Sequence, residues 1–190
     1  MALQCDLSKT PCIGYYNRPT TDSYLSNYRT LTMDYLVGAI VEKLQHELNT
    51  AVTASEQAHD SATHSENIAA NRYDTLAVEA AYLAHGQSMR IAELNQSIAL
   101  YKQFQRPTFN ASSTIQVGAL VCIEDNQGQQ QRFLIGPAAG GLRIDGEQGR
   151  VLVITHTAPL AQVLIGKRVD DELNWQINQG EASFCIVAIE

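Results

Sequence analysis

Proline and glycine are sorted along this 190-residue chain, and that sorting limits its possible folds more than any other feature. Prolines stand at 11, 19, 107, 137 and 159, so residues 20 to 106 contain none, while nine of the twelve glycines lie at or beyond Gly118. Proline removes a helix hydrogen bond, and glycine costs a helix roughly 1 kcal/mol relative to alanine. The first half is therefore expected to be helical and the punctuated second half sheet-like.

Within the proline-free stretch, Leu36, Ile40, Leu44, Leu48, Val52, Ser55, Ala58 and Ala62 recur every three or four residues and mark one face of a long helix. A second series places Ala77, Ala84, Ile91 and Ile98 at one heptad position and Ala80, Gln87, Leu94 and Tyr101 at another, which describes a seam for a partner helix. Two such seams joined by a short connection predict an antiparallel α-helical coiled-coil hairpin over 31–104, with its tip at about 71–76. The stretch from Leu76 to Phe104 would span ~43 Å, too long to lie flat on the small domain that follows, so the hairpin is expected to project. Residues 1–30 hold Gly14, Pro11, Pro19 and four tyrosines without sustained periodicity and are expected to form a poorly structured leader. Met33, just before the stripe, offers one reading of that leader as an extension upstream of a translation start.

Gln105–Ser113, with Pro107, Asn110 and two serines, reads as a linker. Over 114–190 strands are expected at 117–124, 131–135, 142–145, 150–155, 172–177 and 183–189, with a short helix at 159–165. The fold class is α+β, the hairpin being followed by a small antiparallel sheet domain carrying one helix.

Composition excludes several roles. The formal charge is −7, opposed to the basic surface with which a protein grips DNA or RNA phosphates. No run of about 18 apolar residues occurs, and the start lacks a signal-peptide pattern, so the expected location is cytoplasmic and no membrane partner is expected. Cysteines at 5, 12, 122 and 185 form no Cys-x-x-Cys pair, and Cys122 and Cys185 lie in apolar runs where inert, reduced thiols are expected.

No self-contained active site is legible. A nucleophile elbow and a phosphate-binding loop are both missing, Gly136–Gly141 lacks the lysine and following helix of a P-loop, and His46-Glu47 is followed by Thr50 where a zinc motif needs histidine. The carboxylates near the predicted tip are the chemical candidates: Glu66, Asp74 and Glu79. An acid at the end of a rigid projection can be handed to another protein's Mg²⁺, helping to hold a second ion and orient water for phosphodiester cleavage. Asp74 is equally placed to cap a helix beginning near Thr75, and Glu66 and Glu79 fit a solvated helix face.

Ala158–Glu172, APLAQVLIGKRVDDE, resembles the carboxy-terminal signature of the bacterial Gre transcript-cleavage factors, in which Ser-Pro-Leu/Ile leads through a short helix to Leu-x-Gly-Lys and an acidic turn. VGALVCIED at 117–125 is similar to that family's opening strand. The resemblance covers residues 33–190. It implies a coiled coil that enters the secondary channel of RNA polymerase and an FKBP-like carboxy-terminal domain that docks on the channel rim. Thr157, Ala158 and Pro159 match the docking segment, with Ala158 in place of the usual serine. Ser65-Glu66-Asn67 matches part of the family's acidic tip, but Thr63 stands where its first aspartate would be; counting back from Val117 instead brings Asp74 to the tip. The resemblance implies no catalysis of the chain's own and no cofactor beyond Mg²⁺ shared with the polymerase through Asp74. It leaves open stimulation of cleavage in backtracked complexes or occupation of the channel as an inhibitor, and the seam alone also permits a coiled-coil adaptor unrelated to polymerase.

Overall fold

A computed structural model describes residues 22–63, 75–110, 112–146, 149–177 and 180–190. Two long helices, α1 (Asp22–Thr63) and α2 (Thr75–Gln103), precede β1 (Leu120–Asp125), β2 (Gln130–Gly136), β3 (Arg143–Gly146), β4 (Gly149–Thr155), α3 (Pro159–Leu164), β5 (Glu172–Ile177) and β6 (Gly180–Ile189). The described residues of 37–104 form one compact unit, and the sheet belongs to another that includes the described residues up to Leu36. Residues 22–30 are helical, which corrects the expected structureless leader over that stretch. Nothing after Pro19 interrupts the backbone ladder, and extending a helix costs far less than nucleating one.

In the helical unit, burial along the expected seam follows the size of the side chains. Ile40, Leu44, Leu48, Leu94, Ile98 and Tyr101 are buried, and burial pushes the Tyr101 phenol well above its ordinary range. Val52, Ser55, Gln87 and Ile91 are half-buried. Ala84 is exposed, correcting its place in the expected seam: a single methyl buries too little area to hold two helices closed.

The six strands form one sheet in the order β3-β4-β2-β1-β6-β5. Four ladders are antiparallel, but β2 and β4 pair in parallel from Arg132↔Val151 to Gly136↔Thr155. The sheet is therefore mixed, which corrects the expectation of an antiparallel one. Its cause is the order of the chain: after β2 the Gly-Pro-Ala-Ala-Gly-Gly loop passes over the slot beside β2, β3 runs back along the edge, and β4 then fills the slot. Gly141 N and Val153 N donate to Val153 O and Leu142 O, each at 2.8 Å, as the loop crosses. A Cβ on Gly140 would come within 3.2 Å of Thr155 Cγ2, so a larger residue there would have to push the threonine side chain aside by a few tenths of an ångström.

One face of the sheet carries Ala119, Val121, Ile123, Phe133, Ile135 and Ile186, packed with Ala161 and Leu164 of α3. Phe184 and Ile186 share that core with Ile189 although strict alternation would turn Ile189 outward. A β-bulge opposite Cys122/Ile123 absorbs the extra residue, so that Ile123 pairs with Ile186 while Val121 pairs with Ile189.

Ile186, fully enclosed, should be far less tolerant than Leu100, which is 40% exposed on α2. Ile186→Ala is expected to cost about 2–5 kcal/mol in urea unfolding followed by circular dichroism. Leu100→Ala should cost less than about 1 kcal/mol; equal losses would contradict this placement of the core.

Candidate functional site

The segment from Thr155 to Ile165 leaves the end of β4, turns, and enters α3. Ala158 N donates to Thr155 O at 2.9 Å, closing the turn, and Gln162 N donates to Ala158 O at 3.1 Å, opening the helix. Pro159 follows Ala158, a position that tolerates proline because the missing N–H would have no helical partner. Ala158 stands at the N-cap with extended backbone and no side chain to accept a hydrogen bond from the first turn. The hydroxyls of Thr155 and Thr157 lie 3.0 Å apart, and Gln162 Nε2 donates to Thr157 O at 3.4 Å.

Helix α3 buries Ala161 and Leu164 against the sheet. Pro159 and Gln162, three residues apart on the helix, are exposed, as are His156 and Thr157 before it and Ile165 just after it. Ile165 is a large apolar side chain 39% exposed at the end of this stripe. Behind it, Gly166 adopts φ +86° and donates to Ile115 O at 2.8 Å, while Ile115 N donates to Lys167 O at 2.8 Å. The acidic turn is self-supporting: Asp171 Oδ2 accepts from Arg168 N at 2.8 Å, and Asp170, at φ +70°, donates its N–H to Ile186 O.

Of the sequence candidates, Thr157, Ala158 and Pro159 thus come together at the entrance to α3. Glu79 lies on α2, while Glu66 and Asp74 lie outside the described residues. Among the described residues no group of three His, Cys, Asp or Glu side chains could hold a metal ion. Thr155, Gln162 and Ile165 were not singled out from sequence; the i, i+3 spacing from Pro159 and the Thr-x-Thr pattern were the available signals.

Both cysteine readings can be placed. Cys122 is a buried free thiol whose pKa is raised, chiefly by burial. The Cys185 side chain is half-buried, not sealed in the core.

Residues 110–190 match the family model described as Transcription elongation factor, GreA/GreB, C-term. This part of the chain is Gre-like. A transcription elongation factor GreA from Sphingopyxis alaskensis is 30% identical over 84 residues, covering 44% of this chain and 49% of that protein. The chain thus matches about half the length of that curated relative. Among solved structures, the transcription factor Gfh1 gives 22% identity and a TM-score of 0.36 over 80% of this chain and 93% of its own. Gfh1 of Thermus thermophilus gives 20% and 0.34 over 79% and 94%, and a GreA/GreB factor from Nitrosomonas europaea gives 14% and 0.32 over 60% and 94%. Likenesses this loose decide nothing further. The Gre-like signature APLAQVLIGKRVDDE coincides with the entrance to α3, the outward stripe and the acidic turn. No described helix is long and apolar enough to cross a membrane.

Ala158→Ser would supply the missing cap to this Gre-like helix. The serine Oγ is expected to accept from the first-turn backbone and stabilise the chain by about 1 kcal/mol. Thermal unfolding should then move upward by roughly 2–4 °C, and an unchanged midpoint would mean that water already satisfies those donors.

Proposed function

We propose that this chain is a Gre-like factor that binds bacterial RNA polymerase and acts through its secondary channel, without catalysis of its own. The observation that carries this reading is the match of residues 110–190 to the GreA/GreB carboxy-terminal family. In this reading α1 and α2 pair as an antiparallel coiled-coil hairpin. The buried residues of both helices support that pairing, as does the Glu47–Arg90 ion pair at 2.8 Å. Helix α2 has 29 residues, ~43 Å of length.

The FKBP-like domain would dock on the channel rim through the stripe at the start of α3. Pro159 and Ile165 supply apolar contact there, while the Thr157 hydroxyl is already shared with Thr155. The hairpin would bring Asp74 to the polymerase's Mg²⁺, where a carboxylate oxygen can help hold the ion and orient the attacking water. Glu66 and Glu79 are the further acidic candidates. The Mg²⁺ supplies Lewis-acid activation; this chain supplies position and negative charge. Protein-to-protein docking also suits a chain of net charge −7.

A coiled-coil adaptor is the second reading, favoured by Tyr82 and Met89, which are 73% and 52% exposed on α2. The test is purified chain with bacterial RNA polymerase and stalled, backtracked complexes. Co-elution with polymerase is expected, weakened at least roughly tenfold, about 1.4 kcal/mol, by Ile165→Asp. Mg²⁺-dependent shortening of the RNA that disappears in Asp74→Ala identifies a cleavage stimulator; reduced synthesis without shortening identifies a channel inhibitor. A stable oligomer that never co-elutes with polymerase rejects both in favour of the adaptor.

A further inference from the structure

We infer that the helix pair contains a built-in bending point at the level of Gln87. An outer segment, residues 52–63 and 75–86, opens there independently of an inner segment, residues 40–48 and 91–101. This rests on the pairing of α1 with α2 proposed above. In antiparallel pairing, the Glu47–Arg90 contact brings Thr50 to the level of Gln87.

Four observations converge on that level. Gln87 occupies a seam position, and its Oε1 is enclosed without a hydrogen-bond partner among the described residues. An enclosed acceptor that forgoes water without replacement weakens the packing that encloses it. Beside it, a Cβ on Gly86 would meet open space, so packing does not require glycine, and the residue simply lowers local helix propensity. Both backbones carry a side chain bonded back onto the preceding turn: Ser88 Oγ donates to Ala84 O at 2.9 Å, and Thr50 Oγ1 donates to His46 O at 3.0 Å. Such back-bonds loosen and bend helices; the inner segment carries one as well, from Ser97 Oγ to Glu93 O at 2.9 Å, but only at this level does a glycine stand within two residues of it.

The fourth observation is the distribution of burial on either side. Among the described residues, the large buried side chains of the pair run from Ile40 to Leu48 and from Leu94 to Tyr101, none more than one residue beyond the Glu47–Arg90 level on the outer side. On the outer side Tyr82, Leu83 and Ala84 are exposed. Few buried apolar contacts and weakened backbone support are the conditions under which a segment opens as its own unit. The ion pair marks the last well-held level of the inner segment. A pair that yields at Gln87 can adjust its far end to a narrow opening while its base stays fixed.

Hydrogen-exchange mass spectrometry of the full chain without polymerase tests this. Amides in the outer segment should exchange at least about tenfold faster than those in the inner segment. Gly86→Ala should slow the outer set roughly fivefold, the fold-change equivalent of about 1 kcal/mol, and Gln87→Leu at least as much, with inner amides unchanged within about twofold. Uniform protection along both helices, slowing shared equally by both segments, or no slowing in either variant would each overturn the inference. Fast exchange in the inner segment as well would overturn it by showing that the helices do not pair. Since polymerase is absent, a failure to bind polymerase leaves all these outcomes unaffected.

Discussion

The sheet domain depends on β1 being buried over its first four residues. Leu120, Val121, Cys122 and Ile123 are enclosed in succession, so both faces of this strand are removed from water. Such a strand must have neighbours on both edges, because an unpaired buried N–H or C=O is too costly to keep. β2 and β6 provide them, and Leu120 and Glu190 exchange two backbone hydrogen bonds at 2.8 Å, tying the end of the described chain to the start of β1. Just ahead of β1, the Ile115 backbone is clamped to Gly166 and Lys167. The end of α3 is thereby fixed to the approach of the central strand, and the outward stripe from Thr157 to Ile165 is presented from a rigid base.

The connection before that clamp is anchored too. Arg106 Nε donates to Gly118 O at 2.9 Å, and its guanidinium carbon lies 5.4 Å from the Phe109 ring centre, while Phe109 packs against the domain core. Burial lowers the pKa of Arg106, and the negative charges of Glu190 and Asp34 oppose that shift. The balance holds a cation in a half-buried place where an unpaired charge would be expelled. Asn110 completes the segment with a compact turn, its Oδ1 accepting from Ser112 N, Ser112 Oγ and Ser113 Oγ. Composition reads this stretch as a linker, but its arginine and phenylalanine make it part of the domain.

What was legible in the sequence follows from the range of the forces involved. Proline and glycine act on their own backbone, so the change from helix to sheet and the short helix after Pro159 could both be read locally. Hydrophobic period located each strand to within about three residues. The parallel β2/β4 ladder could not be read, because strand order is set by which slot remains beside β2 after the loop has crossed, a property of the assembled sheet. The bulge in β6 was hidden for the same reason: Ile189 breaks the alternation only in relation to Cys122 and Ile123. At the candidate site, Pro159 and Ala158 were found through their motif, whereas Ile165 becomes significant only once Leu164 is known to point inward.

The two ends of the proposed mechanism make different physical demands. A carboxylate offered to a partner's metal needs reach and charge, and small errors in its approach can be absorbed by adjustment of the helix end. A docking surface needs a fixed shape, because apolar contact between Pro159, Ile165 and a partner loses its energy within fractions of an ångström of misfit. The domain supplies such rigidity through the β1 ladder and the Ile115 clamp. Ala158 adds no side-chain hydrogen bond at the start of α3, and the Thr157 hydroxyl has an internal neighbour, so in the proposed docking recognition at this stripe would fall mainly to shape. In the proposed mechanism a stiff, weakly polar docking face and a more compliant acidic arm are therefore complementary: the first would fix where the chain sits, and the second would accommodate what it reaches.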